Sequence, residues 1–355
     1  IARVTNIEFD KYKEDVDFNS LGIDELISPE ELAVKEIQLL IDESAFNNSY
    51  EFEEGALTMM GTTLLESAPF VGKSVKEAAA VFSEVLFMPI AIKRAGTQTT
   101  LIPRGDTLFE AGDQVYFTSS KSGMDALNEL VGYTKQEAEN VMIIGGGRIG
   151  KKIAEDLCQQ GMRVKLVESD KEKAIKLSGN LPNTLVIHGD GRNAELLVEE
   201  NIGGMDVFLA VTDDSETNIM SCLMAKSNKV SKIIALVENV DYFELTKSIG
   251  VDTLINKKLL TANSIFRYVR KGKVVDLAKL NNMDAELLEF VVSQDSKVLG
   301  KKIKDLDISR TATIGGVIRE GEGIIALGDF EIMPGDRVLV CCLPKSISRI
   351  ERLFR

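Results

Sequence analysis

The sequence predicts an α/β protein: doubly wound parallel sheet lobes, each followed by a small α+β C-terminal domain, in tandem duplication. Three observations carry this reading. From residue 140 to residue 249 short apolar runs alternate with stretches of helical spacing, the pattern of parallel βαβ units joined by right-handed crossovers. A glycine-rich turn, Gly145-Gly146-Gly147-Arg148-Ile149-Gly150, joins the first of those runs to the first helical stretch. Finally, the chain repeats itself. Leu21-Gly22-Ile23-Asp24 reads like Ile249-Gly250-Val251-Asp252, and Val71-Gly72-Lys73-Ser74 reads like Leu299-Gly300-Lys301-Lys302 at the same separation. Ala111-Gly112-Asp113 returns as Pro334-Gly335-Asp336 after a short loop difference, and a period of this length marks a duplicated domain set.

Taken in order, Ile1-Ala2-Arg3-Val4 aligns with Ile234-Ala235-Leu236-Val237, so residues 1–43 are read as the C-terminal part of a first lobe. Residues 140–233 find no earlier counterpart, and the chain opens on Ile1. The expectation is a truncated form whose parent carries about 90 further N-terminal residues. Residues 50–131 are the first small domain and 139–256 the second, complete lobe. In that lobe strands are expected at 140–144, 163–168, 184–188, 206–211 and 232–238, with helices at 148–160, 193–200, 216–227 and 242–249. Residues 257–285 are read as a crossover helix, 258–271, and linker, and 286–355 as the second small domain.

Composition narrows the function. The 355 residues are 44% hydrophobic and 27% charged, ordinary values for a folded protein. The net charge of −13 repels polyanions, so nucleic acid is not an expected partner. Apolar stretches such as 338–343 fall far short of the roughly 18 residues of a membrane span. Cys158, Cys222, Cys341 and Cys342 show no CxxC spacing, which fits a reduced, cytoplasmic setting. With His188 the single histidine, a multi-histidine metal cage is excluded.

The glycine turn carries the chemistry. It satisfies G-x-G-x-x-G between strand and helix, where Gly145 permits a tight turn, Gly147 lets main-chain amides approach a pyrophosphate, and Gly150 lets helix and strand pack closely. Glu168 ends the next strand, where a carboxylate takes the ribose hydroxyls of NAD(H) and repels a 2′-phosphate, so NADP is disfavoured. His188-Gly189-Asp190-Gly191 ends the third strand. Asp190 there meets an adenine edge or merely forms a turn, and the two readings weigh equally. Thr212-Asp213-Asp214-Ser215 reads first as a helix N-cap and second as a pocket edge through Thr212 and Asp213. No Tyr-x-x-x-Lys is present, because the residues four beyond the six tyrosines are Val16, Glu54, Ser120, Glu137, Thr246 and Gly272. A bound dinucleotide without catalytic groups points to sensing. An NAD-dependent oxidoreductase with an unrecognised substrate domain is the alternative, and a ligand-sensing transcription factor is disfavoured by the acidic charge.

These features together, Gly145 to Gly150, the His188-Gly189-Asp190-Gly191 turn, Ala210-Val211-Thr212-Asp213-Asp214 and the turn Pro334-Gly335-Asp336, resemble the TrkA family, regulatory RCK-domain subunits of bacterial Trk potassium-uptake systems. The resemblance spans essentially the whole chain. It implies tandem Rossmann-like lobes with small C-terminal domains, no enzymatic activity, and assembly as a homo-oligomer beneath a membrane potassium translocator subunit, in the cytoplasm at the inner face of the cell membrane. It also implies NAD(H) as ligand, with ATP or ADP admitted. Gly145, Gly147, Arg148, Ile149 and Gly150 would then line the phosphates, Glu168 the ribose, Asp190 the adenine end, and Thr212 with Asp213 the pocket floor. No catalytic or metal residue is implied. One departure stands out: the arginine of the fifth strand is present in the first copy as Arg3, whereas the second has Leu236.

A charge contrast completes the reading. Residues 24–43 carry seven acidic residues against Lys35, and residues 257–273 carry six basic residues and no acid. Pairing between these segments is the expectation, with Arg267, Arg270 and Lys271 as its cations.

Overall fold

The computed structural model describes residues 1–4, 18–23, 25–42, 46, 48–97, 99–120, 123–132, 138–239, 241–242, 246, 249, 251, 253–269, 274–280, 283–308 and 310–354. Two short strands, β1 (Ala2–Arg3) and β2 (Leu26–Ile27), pair in parallel and lead into helix α1 (Pro29–Asp42). Pro29 opens that helix and Glu30 and Glu31 fill its first turn, the residue types that a helix start favours. The first small domain follows as β3 (Asn48–Phe52), β4 (Leu57–Thr63), α2 (Val75–Val81), β5 (Phe87–Lys93), β6 (Thr100–Leu101), β7 (Gln114–Ser119) and α3 (Met124–Leu130).

The complete lobe runs β8 (Asn140–Ile144), α4 (Arg148–Gln159), β9 (Arg163–Glu168), α5 (Lys171–Asn180), β10 (Thr184–His188), α6 (Ala194–Glu199), β11 (Val207–Ala210), α7 (Ser215–Ser227), β12 (Lys232–Leu236) and β13 (Thr253–Ile255). The segment expected as a helix at 242–249 lies largely outside the described residues. The helix Lys257–Val269 comes next. The second small domain is β14 (Val274–Lys279), β15 (Glu286–Val291), β16 (Ala312–Arg319), β17 (Glu322–Ile324), β18 (Arg337–Cys342) and the helix Ile347–Leu353.

The chain forms two units, one from residues 1–44 and 136–265, the other from 45–135 and 266–355. Like has therefore joined like, rather than each lobe joining its own small domain.

In the first unit β8 to β13 form one parallel sheet in the order β10-β9-β8-β11-β12-β13. The direction of winding reverses between β8 and β11, and in such sheets the carboxyl end of that pair opens a crevice. Helices cover both faces, so strands are apolar on both sides. Along β8, Val141 and Ile143 enter one core with Ile149, Ile153 and Leu157 of α4. Met142 and Ile144 enter the other with Cys222 and Ala225 of α7. Helix α1 adds Ala33, Val34, Ile37, Leu40 and Ile41 to the core beneath α4. Polar residues of α1 find partners on α4 too: the acidic Glu30 pairs with Arg148 at 2.8 Å, and the amide Gln38 Nε2 donates to Asp156 at 2.7 Å. The expected partners lie elsewhere, since Lys257 and Lys258 both pair with Glu238. The side chains of Arg267, Arg270 and Lys271 lie outside the described residues.

In the second unit the small domains have one topology, β3-β4-β7-β5-β6 in the first and β14-β15-β18-β16-β17 in the second. Strand β14, within the stretch read as linker, is an edge strand paired antiparallel with β15. Each small domain has its own core. A third core is shared: Phe52, Leu57, Ile90 and Tyr116 of the first bury against Ala285, Leu287, Ile318 and Cys341 of the second.

Candidate functional site: a cleft at the switch point of the parallel sheet

The carboxyl ends of β8 to β11 open on a cleft of about 430 Å³, walled by Gly145, Gly147, Glu168, Lys173, Asp190, Arg192, Thr212 and Asp213 among others. The volume lies in the range of small-molecule sites. Its position is the crevice that doubly wound sheets leave at a reversal of strand order.

The glycines meet three different steric demands. Gly145 has φ 101°, and a Cβ there would lie 2.9 Å from the Thr212 methyl and 3.0 Å from Thr212 N, so the loops after β8 and β11 touch only because this residue has no side chain. A Cβ on Gly150 would overlap the Gly145 carbonyl oxygen, which fixes how closely α4 sits beneath its loop. Gly147 differs from both. A Cβ there meets nothing within 4 Å, and its φ of −64° suits any residue. The space beside Gly147 belongs to the cleft, with the first turn of the 12-residue helix α4 starting there, and the unpaired amides of a helix start favour an anion.

Glu168, 5% exposed, is the buried carboxylate of the site. Its Oε2 accepts from Gly146 N at 3.0 Å and meets Lys173 Nζ at 2.6 Å, while Oε1 accepts from Asp170 N at 3.0 Å and Ser169 Oγ at 3.4 Å. Burial alone would raise its pKa, but the Asp170 amide, the Lys173 ammonium and the Gly146 amide outweigh it and hold the group below its ordinary value near 4.5. A carboxylate depressed in the folded state adds stability above that ordinary value and loses it as the pH falls through the depressed one. Glu168 is therefore ionised at neutral pH.

Asp190 lies on the cleft wall, tied to its neighbour two residues on: Arg192 NH2 donates to Oδ2 at 2.8 Å and Arg192 N to Oδ1 at 2.9 Å. That side-chain bond, with the amide, holds its pKa low. Thr212 and Asp213 also wall the cleft. Asp214 caps α7, accepting from Thr217 N at 2.9 Å, as the N-cap reading expected.

The side chains of Arg148 and Ile149 turn away from the cleft, so it is through the first-turn amides of α4 that these residues and Gly150 face its glycine end. Each residue of α4 turns about a third of the way round the axis. Ile149, 5% exposed, accordingly points into the lobe core, and Arg148 reaches Glu30. Leu236 is buried in the same core, so the carboxyl end of the fifth strand brings no cation to the cleft. The cations at the cleft are instead Lys173 and Arg192.

Two residues that motif reading missed hold the loops in place. Asn218, fully buried on α7, accepts from Thr212 N at 2.9 Å and Thr212 Oγ1 at 2.7 Å, and donates to the carbonyls of Thr212 at 2.9 Å and Leu236 at 2.8 Å. Ser221, one turn further, donates to Gly191 O at 2.8 Å. One helix thus fixes the loops after β10, β11 and β12. The available signal was two polar residues on the apolar face of an otherwise core-facing helix.

No three-residue cluster of metal-ligating side chains occurs among the described residues, and no described helix is long and apolar enough to cross a membrane.

The chain is similar to known proteins over nearly its whole length. The TrkA-N domain family matches residues 141–257, and the TrkA-C domain family matches both 59–132 and 287–355, the complete lobe and most of each small domain. The Trk system potassium uptake protein TrkA of Halomonas elongata is 34% identical over 340 residues, covering 95% of this chain and 74% of that protein. That of Vibrio alginolyticus is 32% identical over 361 residues, covering 100% and 78%. Among solved structures, the GsuK RCK domain superposes with a TM-score of 0.53 at 16% identity, covering 98% of this chain and 73% of that one. The GsuK channel bound to NAD superposes with a TM-score of 0.54 at 16% identity, covering 99% and 61%. With a duplicated TrkA-C domain, a TrkA-N lobe and a third of its residues shared with TrkA proteins across most of their length, the chain belongs to the TrkA family.

Proposed function

We propose that this chain is a nucleotide-binding regulatory subunit of a Trk-type potassium uptake system, and that the cleft at the switch point of its complete lobe receives NAD(H) or an adenine nucleotide. The observation that carries the reading is the pairing of an open glycine at the start of α4 with a buried, ionised carboxylate at the end of β9. The first suits a phosphate, the second a ribose diol. Phosphates then lie at Gly145 and Gly147 with the first-turn amides of α4, the ribose at Glu168, and the adenine end toward Asp190, with Thr212 and Asp213 at the floor. The TrkA relatives, named for potassium uptake, and the NAD-bound GsuK channel of the same fold support this assignment. The subunit acts at the inner face of the membrane as a homo-oligomer on a potassium translocator, and ligand binding shifts its conformation only as far as two conformations bind the nucleotide differently. Turnover is not expected, because the relatives that share most of this chain are named for potassium uptake and the ion pairs and turns of the cleft already engage Glu168, Lys173 and Asp190.

The two glycines supply the test. Gly147→Asp places a negative side chain in open space at the phosphate position, so the fold should stand while nucleotide stabilisation disappears. In the wild type that stabilisation should reach about 2.7 kcal/mol at a hundredfold excess over Kd. Gly150→Ala forces a methyl into the Gly145 carbonyl and should lower stability itself by about 2 kcal/mol. Thermal shifts with NADH, NAD, ATP and ADP read both effects. Unchanged ligand shifts in Gly147→Asp would remove the nucleotide from this cleft, and NADH oxidation dependent on a small metabolite would replace regulation by catalysis.

A further inference from the structure

The carboxylate that the ribose needs is already occupied. A carboxylate offers about four acceptor positions, and Glu168 uses them on Gly146 N, Asp170 N, Ser169 Oγ and Lys173 Nζ. Two of these donors are main-chain amides that cannot leave without unfolding the loop. Lys173 is different. Its side chain is 46% exposed, stands on a flexible stem and itself walls the cleft. A ribose diol brings two donors to Glu168, so two residents must give way, and the long 3.4 Å bond from Ser169 together with the half-exposed ammonium of Lys173 are those that can. Lys173 is thereby released at the position where a nucleotide carries its 2′-substituent.

We propose that Lys173 determines the ribose-end specificity of the cleft, cancelling the repulsion of Glu168 so that dinucleotides with a 2′-phosphate bind alongside those with a 2′-hydroxyl. This rests on the nucleotide reading above and reverses one expectation from the sequence, in which Glu168 alone disfavoured NADP. A carboxylate facing a phosphate repels it, whereas a carboxylate paired with an ammonium 2.6 Å away presents little net charge. A 2′-phosphate brings oxygens rather than donors, so Lys173 can turn from Glu168 to the phosphate while the two amides remain on the carboxylate. With a 2′-hydroxyl nucleotide, by contrast, Lys173 loses its partner to the diol and goes to solvent.

The experiment titrates the whole chain with NADH and NADPH, read by nicotinamide fluorescence, and with 5′-ADP and 2′,5′-ADP, read by thermal shift, at one ionic strength. The expected wild-type preference for the 2′-hydroxyl member of each pair is about tenfold or less. Lys173→Met should raise it by about tenfold or more, mainly by weakening the 2′-phosphate ligand, and Lys173→Arg should preserve the wild-type ratio. The proposal is overturned if NADH binds and the ratio is the same in Lys173→Met, or if the wild type already prefers NADH by about a thousandfold. Failure of every ligand to bind the wild type would be a separate result, one that removes the nucleotide reading itself.

Discussion

The two small domains are copies of one design, and they differ where they meet. Inside each, the same ion pair ties the turn before the last strand of the sheet to the end of a neighbouring strand. Arg94 pairs with Asp113, and Arg319 pairs with Asp336 at 2.7 Å. Each aspartate follows a glycine of positive φ, Gly112 at 79° and Gly335 at 85°, and accepts a main-chain amide three residues back, Glu110 N at 2.9 Å and Met333 N at 2.8 Å. At the shared face Ile90 and Gly315 are the residues at the equivalent register shift of each sheet, and the registers match Ala91 with Gly316 and Thr100 with Gly323. The first copy presents side chains where the second presents glycines. A Cβ on Gly315 would lie 3.1 Å from Ile90, one on Gly316 2.7 Å from Leu57, and one on Gly323 would overlap the Ala56 carbonyl. A turn is kept by its own local geometry, so duplication preserves it. A face is kept only by its partner, so two halves on one chain are free to become knob and hole.

The largest break in this comparison removes the knob. Ile90 is fully buried in the shared core, and Ile90→Gly leaves a cavity that costs about 4 kcal/mol. Gly315→Ile overfills the other side by about 2 kcal/mol. Because the two positions touch, their effects are not independent. The reciprocal exchange, Ile90→Gly with Gly315→Ile, should lose clearly less than the sum, measured as chemical-denaturant midpoints. Strict additivity would mean that the two faces do not read one another.

Next comes Gly323→Thr, which gives the second copy the residue that stands at the same register in the first. The Ala56 carbonyl occupies the space a Cβ needs, and main chain cannot swing aside as a long side chain can. A loss of about 3 kcal/mol is expected, read by the unfolding of the unit formed by residues 45–135 and 266–355. Wild-type stability in this variant would show that the close approach to Gly323 is not required.

Residues explain what could be read beforehand. Most strands and helices of the complete lobe were legible because burial on both faces makes strands apolar runs, as in Val141 to Ile144, and because Asn193 and Asp214 cap the helices that follow, whereas the polar helix α5 after Asp170 and the three-residue strand β13 were not expected. The cleft wall was legible at Gly145, Gly147, Glu168, Asp190, Thr212 and Asp213 because strand order fixes where such loops converge. What stayed hidden depends on side-chain direction and on long-range partners. Nothing local says that Arg148 turns to Glu30 or that Lys173 reaches Glu168. The pairing of small domain with small domain was equally hidden, because a fixed spacing reveals a repeat without saying which copies associate. Strand β14 was missed as part of a sheet for the same reason, since only its antiparallel partner β15 identifies it.

The smallest effect sharpens the comparison most, because it tests the reverse exchange. At the register where the second copy has Gly323, Thr100 uses its hydroxyl to accept from Asp284 N at 2.9 Å, and Asp284 stands in the second copy where Ala56 stands in the first. The two ends of the interface therefore make equivalent contacts in different ways, one by close main-chain approach and one by a side-chain bridge. Thr100→Val keeps the shape and removes the acceptor. The Asp284 amide is near solvent, so water replaces the lost partner and the cost should stay below about 1 kcal/mol. That is far less than for Gly323→Thr. If Thr100→Val instead costs as much as Gly323→Thr, the Asp284 amide is sealed from water and the bridge, not the packed glycine, holds the two small domains together.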